Sequence, residues 1–152
     1  MITIIEDKEI KKQIARSVLE ALPEWFEVVE SREQYIADSA DRIFIAAKED
    51  DRYVGFLCLK ETGKDTVELA VMGVLKECHR KGYGRALFEK ARETAVAEGY
   101  TFMQVKTVKM GVYEDYDRTN LFYQSCGFKE LEVIPEVWGD ENPCQIYVMY
   151  LK

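Results

Sequence analysis

A largely apolar run, a glycine turn and an amphipathic helix follow one another between residues 64 and 99, and this succession constrains the fold most. The run KDTVELAVMGV predicts a strand. The segment YGRALFEKARETAVAEG predicts a helix, because its apolar residues recur at helical spacing and Gly99 suits a C-terminal cap. Gly82 and Gly84 lie in the turn between them. We therefore expect a strand that passes through a glycine turn directly into a helix.

The rest of the chain alternates between short strands and helices with one apolar face. The strands before the glycine turn are nearly continuous in apolar character, which is typical of strands covered on both faces. The predicted order, β-α-α-β-β-β-α-β-α-β-β, fits an α/β (α+β) fold with a central mixed sheet and helices on both faces. No repeat or linker interrupts it, so residues 1–152 are predicted to form a single domain. The other predicted strands are MITIIE, DRIFIAAKE, RYVGFLCLKE, YTFMQVKTV, FKELEVIPEVW and CQIYVMYL, and the other predicted helices are KEIKKQIARSVLEAL, REQYIADSA and YDRTNLFYQSCG.

Charge and hydropathy narrow the class of protein. The formal net charge is −7, and because nucleic-acid binding needs a basic face, this argues against a nucleic-acid partner. The acidic surface either attracts cationic substrates or only keeps the protein soluble. No apolar stretch reaches the roughly 18 residues of a membrane span, and the N-terminal segment lacks the pattern of a signal peptide. We therefore expect a cytoplasmic protein with no membrane partner.

The cysteines and the single histidine do not indicate a metal site. Cys58, Cys78, Cys126 and Cys144 are widely spaced and form no CxxC pair, so neither zinc nor a disulfide framework is expected. None of the four is well placed for an acyl-enzyme. His79 is the only histidine, and its position in the glycine turn favours a loop residue over a general base.

The glycine turn has the features of an anion site. Gly82 and Gly84 allow a ligand to approach the backbone closely, and the helix that follows leaves about four N–H groups without partners. Arg80, Lys81 and Arg85 add positive charge. A P-loop is excluded because GxxxxGK[ST] is absent, and a dinucleotide fingerprint because its third glycine is missing. Two interpretations stay open at this point, a phosphate site and a turn with solvated basic side chains.

The segment VMGVLKECHRKGYGRAL resembles the acetyl-CoA-binding motif of the GNAT N-acetyltransferases. In that family a strand ends in valine and leads through a loop of the form [QR]xxGxG/A into a helix. Val74, Gly82 and Gly84 match the motif, and His79 holds the position that is usually Gln or Arg.

A second segment, YDRTNLFYQSCGF, resembles the second conserved block of the same family. Tyr123 stands four residues before Gly127 and Phe128, as the family tyrosine does, whereas Tyr116 replaces an asparagine that many members carry. The resemblance covers essentially the whole chain and implies the GNAT fold, with a mixed, mostly antiparallel sheet. The chain is also similar to a small bacterial branch that shares PEWF, VKT and a terminal WG…NPC. Homodimers are common in the family, which leaves a homodimer open.

The resemblance implies that the chain binds acetyl-CoA. Loop amides would hold the pyrophosphate, and the strand backbone would pair with the pantetheine arm, while an amide near Val74 would polarise the thioester carbonyl. Glycine inside a strand often marks a bulge or a close approach of backbone, so Gly73 fits such a strand. The implied coenzyme-binding residues are Met72, Gly73, Val74, His79, Arg80, Lys81, Gly82, Tyr83, Gly84 and Arg85.

The resemblance also implies two catalytic residues. Glu68 lies six residues before Val74, where the histone-acetylating branch carries its glutamate base. The alternative is a glutamate on the strand face that pairs with Lys or Arg. Tyr123 is the candidate acid for the departing thiolate, since the ordinary pKa values of tyrosine and thiol, about 10 and 8.5, are close enough for transfer. The alternative is a core aromatic residue.

The acceptor would enter along loops rich in aromatic and acidic residues, a combination that suits a cationic amine. The alternative is that the aromatic residues pack the loops and the acids are solvated. The sequence thus predicts an acetyl-CoA-dependent N-acetyltransferase that acetylates a primary amine of a small molecule by direct attack in a ternary complex. A non-catalytic acyl-CoA-binding or sensor domain, or an acetylase of protein or peptide amines, is the alternative. The candidate substrate-binding residues are Trp25, Phe26, Tyr113, Tyr116 and Trp138.

Overall fold

The computed structural model describes residues 1–152 and contains seven strands and four α-helices. Their order is the one predicted, with a short 3-10 turn added before the third helix. The elements are β1 (Ile2–Ile5), α1 (Lys8–Glu20), α2 (Val29–Ser39), β2 (Ile43–Glu49), β3 (Arg52–Gly63), β4 (Thr66–Val74), the 3-10 turn (Lys76–Cys78), α3 (Tyr83–Ala97), β5 (Phe102–Val108), α4 (Glu114–Ser125), β6 (Lys129–Ile134) and β7 (Cys144–Tyr150).

The strands form one mixed sheet in the order β1-β2-β3-β4-β5-β7-β6. The pairs β1–β2, β2–β3, β5–β7 and β6–β7 are antiparallel. The pair β4–β5 is parallel, from Thr66–Phe102 to Glu68–Gln104, and α3 is the crossover that a parallel pair requires. The chain divides into two compact units, the first with residues 1–60 and 70–94, the second with residues 61–69 and 95–152. The single domain expected from the sequence stays a prediction.

Helices cover both faces of the sheet in the first unit. A Cβ added at Gly73 would come within 3.0 Å of Val18 in α1. A Cβ added at Gly55 would approach Val74 and Leu87, the latter in α3. Because side chains of neighbouring strand residues point to opposite faces, Gly73 and Val74 show that α1 and α3 lie on opposite sides. This is the arrangement that the continuous apolar runs predict, and β2 and β3 are indeed buried on both faces from Phe44 to Ala47 and from Val54 to Cys58.

Strand β4 differs from β2 and β3 because its burial alternates. Val67, Leu69 and Val71 are buried, whereas the residues between them are only half-buried. Glu68, Met72 and Val74 all occupy half-buried positions. The strand that carries Glu68 and the predicted coenzyme-binding residues Met72, Gly73 and Val74 is thus less covered on one face.

In the second unit, a buried polar network holds α4 against the sheet. Asn120 is fully buried, and its Nδ2 donates to the carbonyl oxygens of Val108 (2.9 Å) and Tyr116 (2.7 Å). The Tyr147 hydroxyl donates to Asn120 Oδ1 at 2.7 Å and accepts from Gln124. Every polar atom of the asparagine side chain is therefore satisfied, as burial requires. None of the helices has both the length and the apolar character that crossing a membrane would take.

Candidate functional site

The glycine loop, residues 79–85, is open and strongly curved. Gly82 has φ +86°, and no atom lies within 4 Å of the position that a Cβ would take there. Arg80 also has a positive φ, +66°. The first intrahelical hydrogen bond of α3 runs from the Ala86 amide to the Gly82 oxygen (3.0 Å), so the amides of Tyr83 and Gly84 precede it. Curved backbone and helix-terminal amides together provide the donors of an anion site.

The charges around this loop include a carboxylate that sequence reasoning missed. The Tyr83 hydroxyl donates to Glu49 at 2.6 Å, and the Lys81 ammonium lies 3.5 Å from the same carboxylate. The hydrogen bond raises the pKa of Tyr83 to about 12 and lowers the pKa of Glu49, with Lys81 as a smaller cause. Arg80 and Arg85 are exposed. Glu49 ends β2 among other acidic residues, and nothing in that segment indicates a link to a loop more than thirty residues away.

His79 lies against the end of β4. Its Nε2 is 2.7 Å from the carbonyl oxygen of Val74, so this nitrogen carries the proton and donates. The Trp25 ring meets the imidazole edge to face, with centroids 6.2 Å apart and planes at 71°. The structure thus brings together the strand end, the glycine loop and one of the predicted acceptor residues.

Gly73 has a packing reason for being a glycine. A Cβ there would lie 3.0 Å from both Val18 and Leu22, whose side chains come from α1 and the residues after it. After the strand, the Leu75 amide donates to the Val54 oxygen at 2.8 Å. The close approach at Gly73 is therefore to a helix, and pairing of the Met72–Val74 backbone with a coenzyme stays a prediction.

The tryptophan loop, residues 23–28, is fastened on two sides. Glu24 forms a close ion pair with Lys76 in the 3-10 turn, and the hydrogen bond lowers the pKa of the glutamate. Phe26 packs edge to face on Tyr35 in α2, with centroids 6.0 Å apart. Trp25 and Phe26 are both half-buried.

In the second unit, Glu68 is ion-paired with a lysine. Its Oε1 lies 3.2 Å from Lys106 Nζ, and its side chain is 13% exposed against 34% for the lysine. The lysine lies on β5, two residues beyond Gln104, which is the register partner of Glu68. The pairing that the sequence left as the alternative is thus present, and it uses one carboxylate oxygen. Lys106 was missed, because register between distant strands is not visible in the sequence.

Tyr123 is buried in an aromatic cluster. It is 6% exposed, and its ring lies 5.8 Å from Phe128 and 6.3 Å from Tyr147 between centroids. Its carbonyl oxygen accepts the amide of Phe128 at 3.1 Å, and Gly127 between them has φ +105°. The spacing of the second motif is therefore also the spacing of a helix C-terminus closed by a left-handed glycine.

The remaining predicted acceptor residues are only partly brought together. The Tyr113 and Tyr116 rings lie 6.0 Å apart at the start of α4. Trp138 lies in a turn and is 42% exposed. The acids nearby are largely engaged: Arg118 pairs with Glu114 at 3.3 Å and more closely with Asp115. The negative charge available to a cation is thus smaller there than the sequence indicates.

Comparison with known proteins supports a single family. Residues 11–128 match the sequence model described as "Acetyltransferase (GNAT) family". Among curated proteins, none matches the sequence.

Several solved structures have a similar fold. A protein assigned to the GNAT family from Desulfovibrio desulfuricans has a TM-score of 0.84 at 19% identity, covering 100% of this chain and 99% of that one. An aminoglycoside 6'-N-acetyltransferase complexed with coenzyme A has a TM-score of 0.76 at 18% identity, with 99% and 96% covered. The ribosomal-protein-S18-alanine N-acetyltransferase of Escherichia coli has 0.77 at 16% identity, with 100% and 95% covered. At these identities the likeness concerns the fold.

Proposed function

Because the chain belongs to the acetyltransferase (GNAT) family, whose enzymes use acetyl-CoA, we propose that it acetylates a primary amine of a small cationic molecule by direct attack. The family, the mixed α/β fold and the acetyl-CoA-dependent acyltransferase class predicted from the sequence are confirmed. The acceptor and the roles of individual residues are the proposal.

The geometry of the glycine loop carries the proposal. Gly82 leaves space for an anion at the start of α3, where the Tyr83 and Gly84 amides have no helical acceptor. Arg80, Lys81 and Arg85 would neutralise a pyrophosphate bound there. The residues present therefore fit the coenzyme's most strongly charged group. The half-buried face at Met72 and Val74 supports backbone contact with the pantetheine arm, and an amide at the strand end would stabilise the oxyanion.

Glu68 is proposed as the base. An alkylamine with a pKa of about 10.4 is protonated at neutral pH and must lose a proton before it attacks. Lys106 engages Oε1 of Glu68, which leaves Oε2 to accept that proton, directly or through water. The nitrogen then forms a bond to the acetyl carbon and the carbon–sulfur bond breaks. Tyr123 is proposed to give the departing thiolate its proton, and the second proton that the nitrogen loses in forming the amide returns the tyrosine to its neutral form.

The acceptor class rests on the tryptophan loop and on the net charge of −7. Trp25 and Phe26 are half-buried, and the exposed Glu27 follows them in the chain. Because Glu24 is already paired with Lys76, Glu27 is the carboxylate that favours a cation beside these aromatic rings. Aminoglycosides, which are acetylated by one of the structural neighbours, are polycationic amines and belong in the first screen.

The test combines binding with turnover. Coenzyme A should raise the melting temperature of the protein, and a thiol-release screen with acetyl-CoA should detect at least one acceptor among polyamines, aminoglycosides, amino acids and peptides. Turnover of a peptide alone would replace the small-molecule acceptor with a peptide amine. Binding of coenzyme A without release of thiol from any amine would instead favour a sensor domain.

A further inference from the structure

The tryptophan loop and the glycine loop are joined by two contacts within the first unit. Glu24 pairs with Lys76 at the start of the 3-10 turn, and Trp25 packs on His79 directly after it. The Glu24–Lys76 contact is an exposed ion pair, and such pairs contribute little to stability. The ring contact is therefore the more important of the two.

His79 is held on its other side by the strand. Its Nε2 donates to the Val74 oxygen at 2.7 Å, so the imidazole is oriented by a hydrogen bond and not by packing alone. One side chain of the glycine loop thus fixes its ring to the end of β4 and presents that ring to Trp25.

We propose that His79 is a positioning residue that couples coenzyme binding in the glycine loop to the placement of Trp25 in the tryptophan loop. The inference rests on the proposed function, because it takes the first loop as the coenzyme site and the second as part of the acceptor site. His79 itself has no part in proton transfer.

Coenzyme binding at the glycine loop and packing of Trp25 both restrict the His79 imidazole. An anion that binds the glycine loop restricts residues 79–85 to one conformation, and the imidazole is restricted with them. Trp25 then packs on a fixed ring and loses less conformational freedom when the acceptor arrives. Coupling of this kind is reciprocal, and its usual size is about 5- to 150-fold in affinity. The acceptor loop is thereby set after the coenzyme has bound.

The sequence offers a substitution that separates the two contacts of His79. The resemblance expects Gln or Arg at this position, and in His79→Gln the side-chain amide can still donate to the Val74 oxygen but has no ring for Trp25. Arg80→Gln is the matched control, because Arg80 is the next residue of the same loop and has no aromatic ring to present to Trp25.

The experiment follows Trp25 as the only tryptophan. The chain has two tryptophans, so all variants are made in a Trp138→Phe background. Coenzyme A is titrated by calorimetry, and acrylamide quenching of Trp25 is measured with and without saturating coenzyme A. In the background protein, we expect coenzyme A to reduce the quenching constant of Trp25 at least about twofold, as modest coupling between the two loops would produce.

The two loop variants should then show opposite patterns. His79→Gln should bind coenzyme A within about threefold of the background, because Gln is a usual residue of the motif at this position, but it should lose most of the protection of Trp25. Arg80→Gln should bind about tenfold more weakly and keep that protection at saturation. Equal protection of Trp25 in His79→Gln and in the background would overturn the coupling, as would no protection in a background protein that binds coenzyme A. Absence of any calorimetric binding would overturn the proposed coenzyme site as well.

Discussion

The glycine loop in the first unit and the pair Glu68 and Tyr123 in the second differ in how tightly they are held. Gly82 has no atom within 4 Å of its added Cβ, and Arg80 is exposed. Tyr123 is 6% exposed among aromatic rings, and the Glu68 side chain is 13% exposed and ion-paired. The glycine loop proposed to bind the pyrophosphate is open, and the two residues proposed to transfer protons are enclosed.

This difference follows from what each region has to do. A site for a large anionic ligand must leave its amides and charges accessible before the ligand arrives, whereas a proton-transfer group must be held in one geometry by its neighbours. Changes to the exposed side chains of the glycine loop should therefore alter coenzyme affinity at little cost in stability. Changes in the second unit should alter turnover, or stability, with little effect on coenzyme affinity.

The largest expected effect is on turnover. We expect Glu68→Gln to lower kcat at least about 100-fold, because a general base contributes about 10²- to 10⁴-fold. Coenzyme A should bind as in the parent. Thiol release at saturating acetyl-CoA and calorimetry measure the two quantities. Glu130→Gln changes an exposed glutamate on β6 and is the matched control.

Loss of less than about tenfold in Glu68→Gln, a tenth of the contribution expected of a base, would reduce Glu68 to a structural ion pair with Lys106. Tyr123→Phe should also lower kcat by more than about tenfold, while Tyr150→Phe, at a position 63% exposed, should not. If both Glu68→Gln and Tyr123→Phe lowered kcat by less than about tenfold, Glu68 and Tyr123 would have a packing role and no catalytic role.

The next effect is on stability. Asn120→Ala removes the acceptor of the Tyr147 hydroxyl and the donor to the Val108 oxygen. Buried groups left without partners cost about 1–3 kcal/mol each, so we expect a loss of about 3 kcal/mol. At roughly 2–4 °C per kcal/mol for a chain of this length, the melting temperature should fall by about 10 °C.

The control for Asn120 is Gln104→Ala, which breaks an exposed hydrogen bond to Thr62 and should cost less than about 0.5 kcal/mol. Affinity for coenzyme A in the folded Asn120→Ala protein should be unchanged. A drop in affinity for coenzyme A without a drop in melting temperature would contradict this expectation. It would show that the Asn120 network contributes to coenzyme binding and not to stability.

Elements were predictable where one local signal sufficed. Gly99 and Gly127 were expected to close α3 and α4, and both have positive φ values after the last helical turn. The continuous apolar runs gave β2 and β3 correctly as buried strands. Helix α2 begins at Val29, three residues earlier than expected, because no N-capping side chain marks its start.

Candidate site residues could be predicted only where they lie on one segment of the sequence. The glycine loop could be found because glycines, basic residues and a helix start are contiguous. Lys106 and Glu49 could not, because they reach Glu68 and Tyr83 through strand register and hairpin geometry. Gly73 shows a further limit of prediction from the sequence. A glycine in a strand is expected to mark a bulge or a close approach of backbone, but the atoms nearest to a Cβ added at Gly73 belong to the side chains of Val18 and Leu22.

Substitution of Gly82 should have a smaller effect, and a matched glycine separates its effect on coenzyme binding from the cost of backbone strain. A residue with Cβ placed at φ +86° costs roughly 1–2 kcal/mol, and Gly139 has φ +91° with equally empty surroundings. Gly82→Ala and Gly139→Ala should therefore lower the melting temperature alike. Only Gly82→Ala should weaken coenzyme A binding, by about tenfold as a methyl group enters the space of the anion. Equal affinities would mean that the open loop does not bind the coenzyme.

The smallest expected effect concerns the carboxylate beside the glycine loop. Glu49 holds Lys81 and Tyr83, and its negative charge also repels a bound phosphate. Because this charge is near the surface, where interactions are screened, we expect Glu49→Gln to tighten coenzyme A binding by only about two- to threefold at low salt, with less gain at high salt. Asp41→Asn removes the carboxylate of another exposed ion pair, with Lys8, and should change nothing. Weaker binding in Glu49→Gln would show that the carboxylate orders the loop through Tyr83, so the glycine loop would be held by its neighbours despite its exposure.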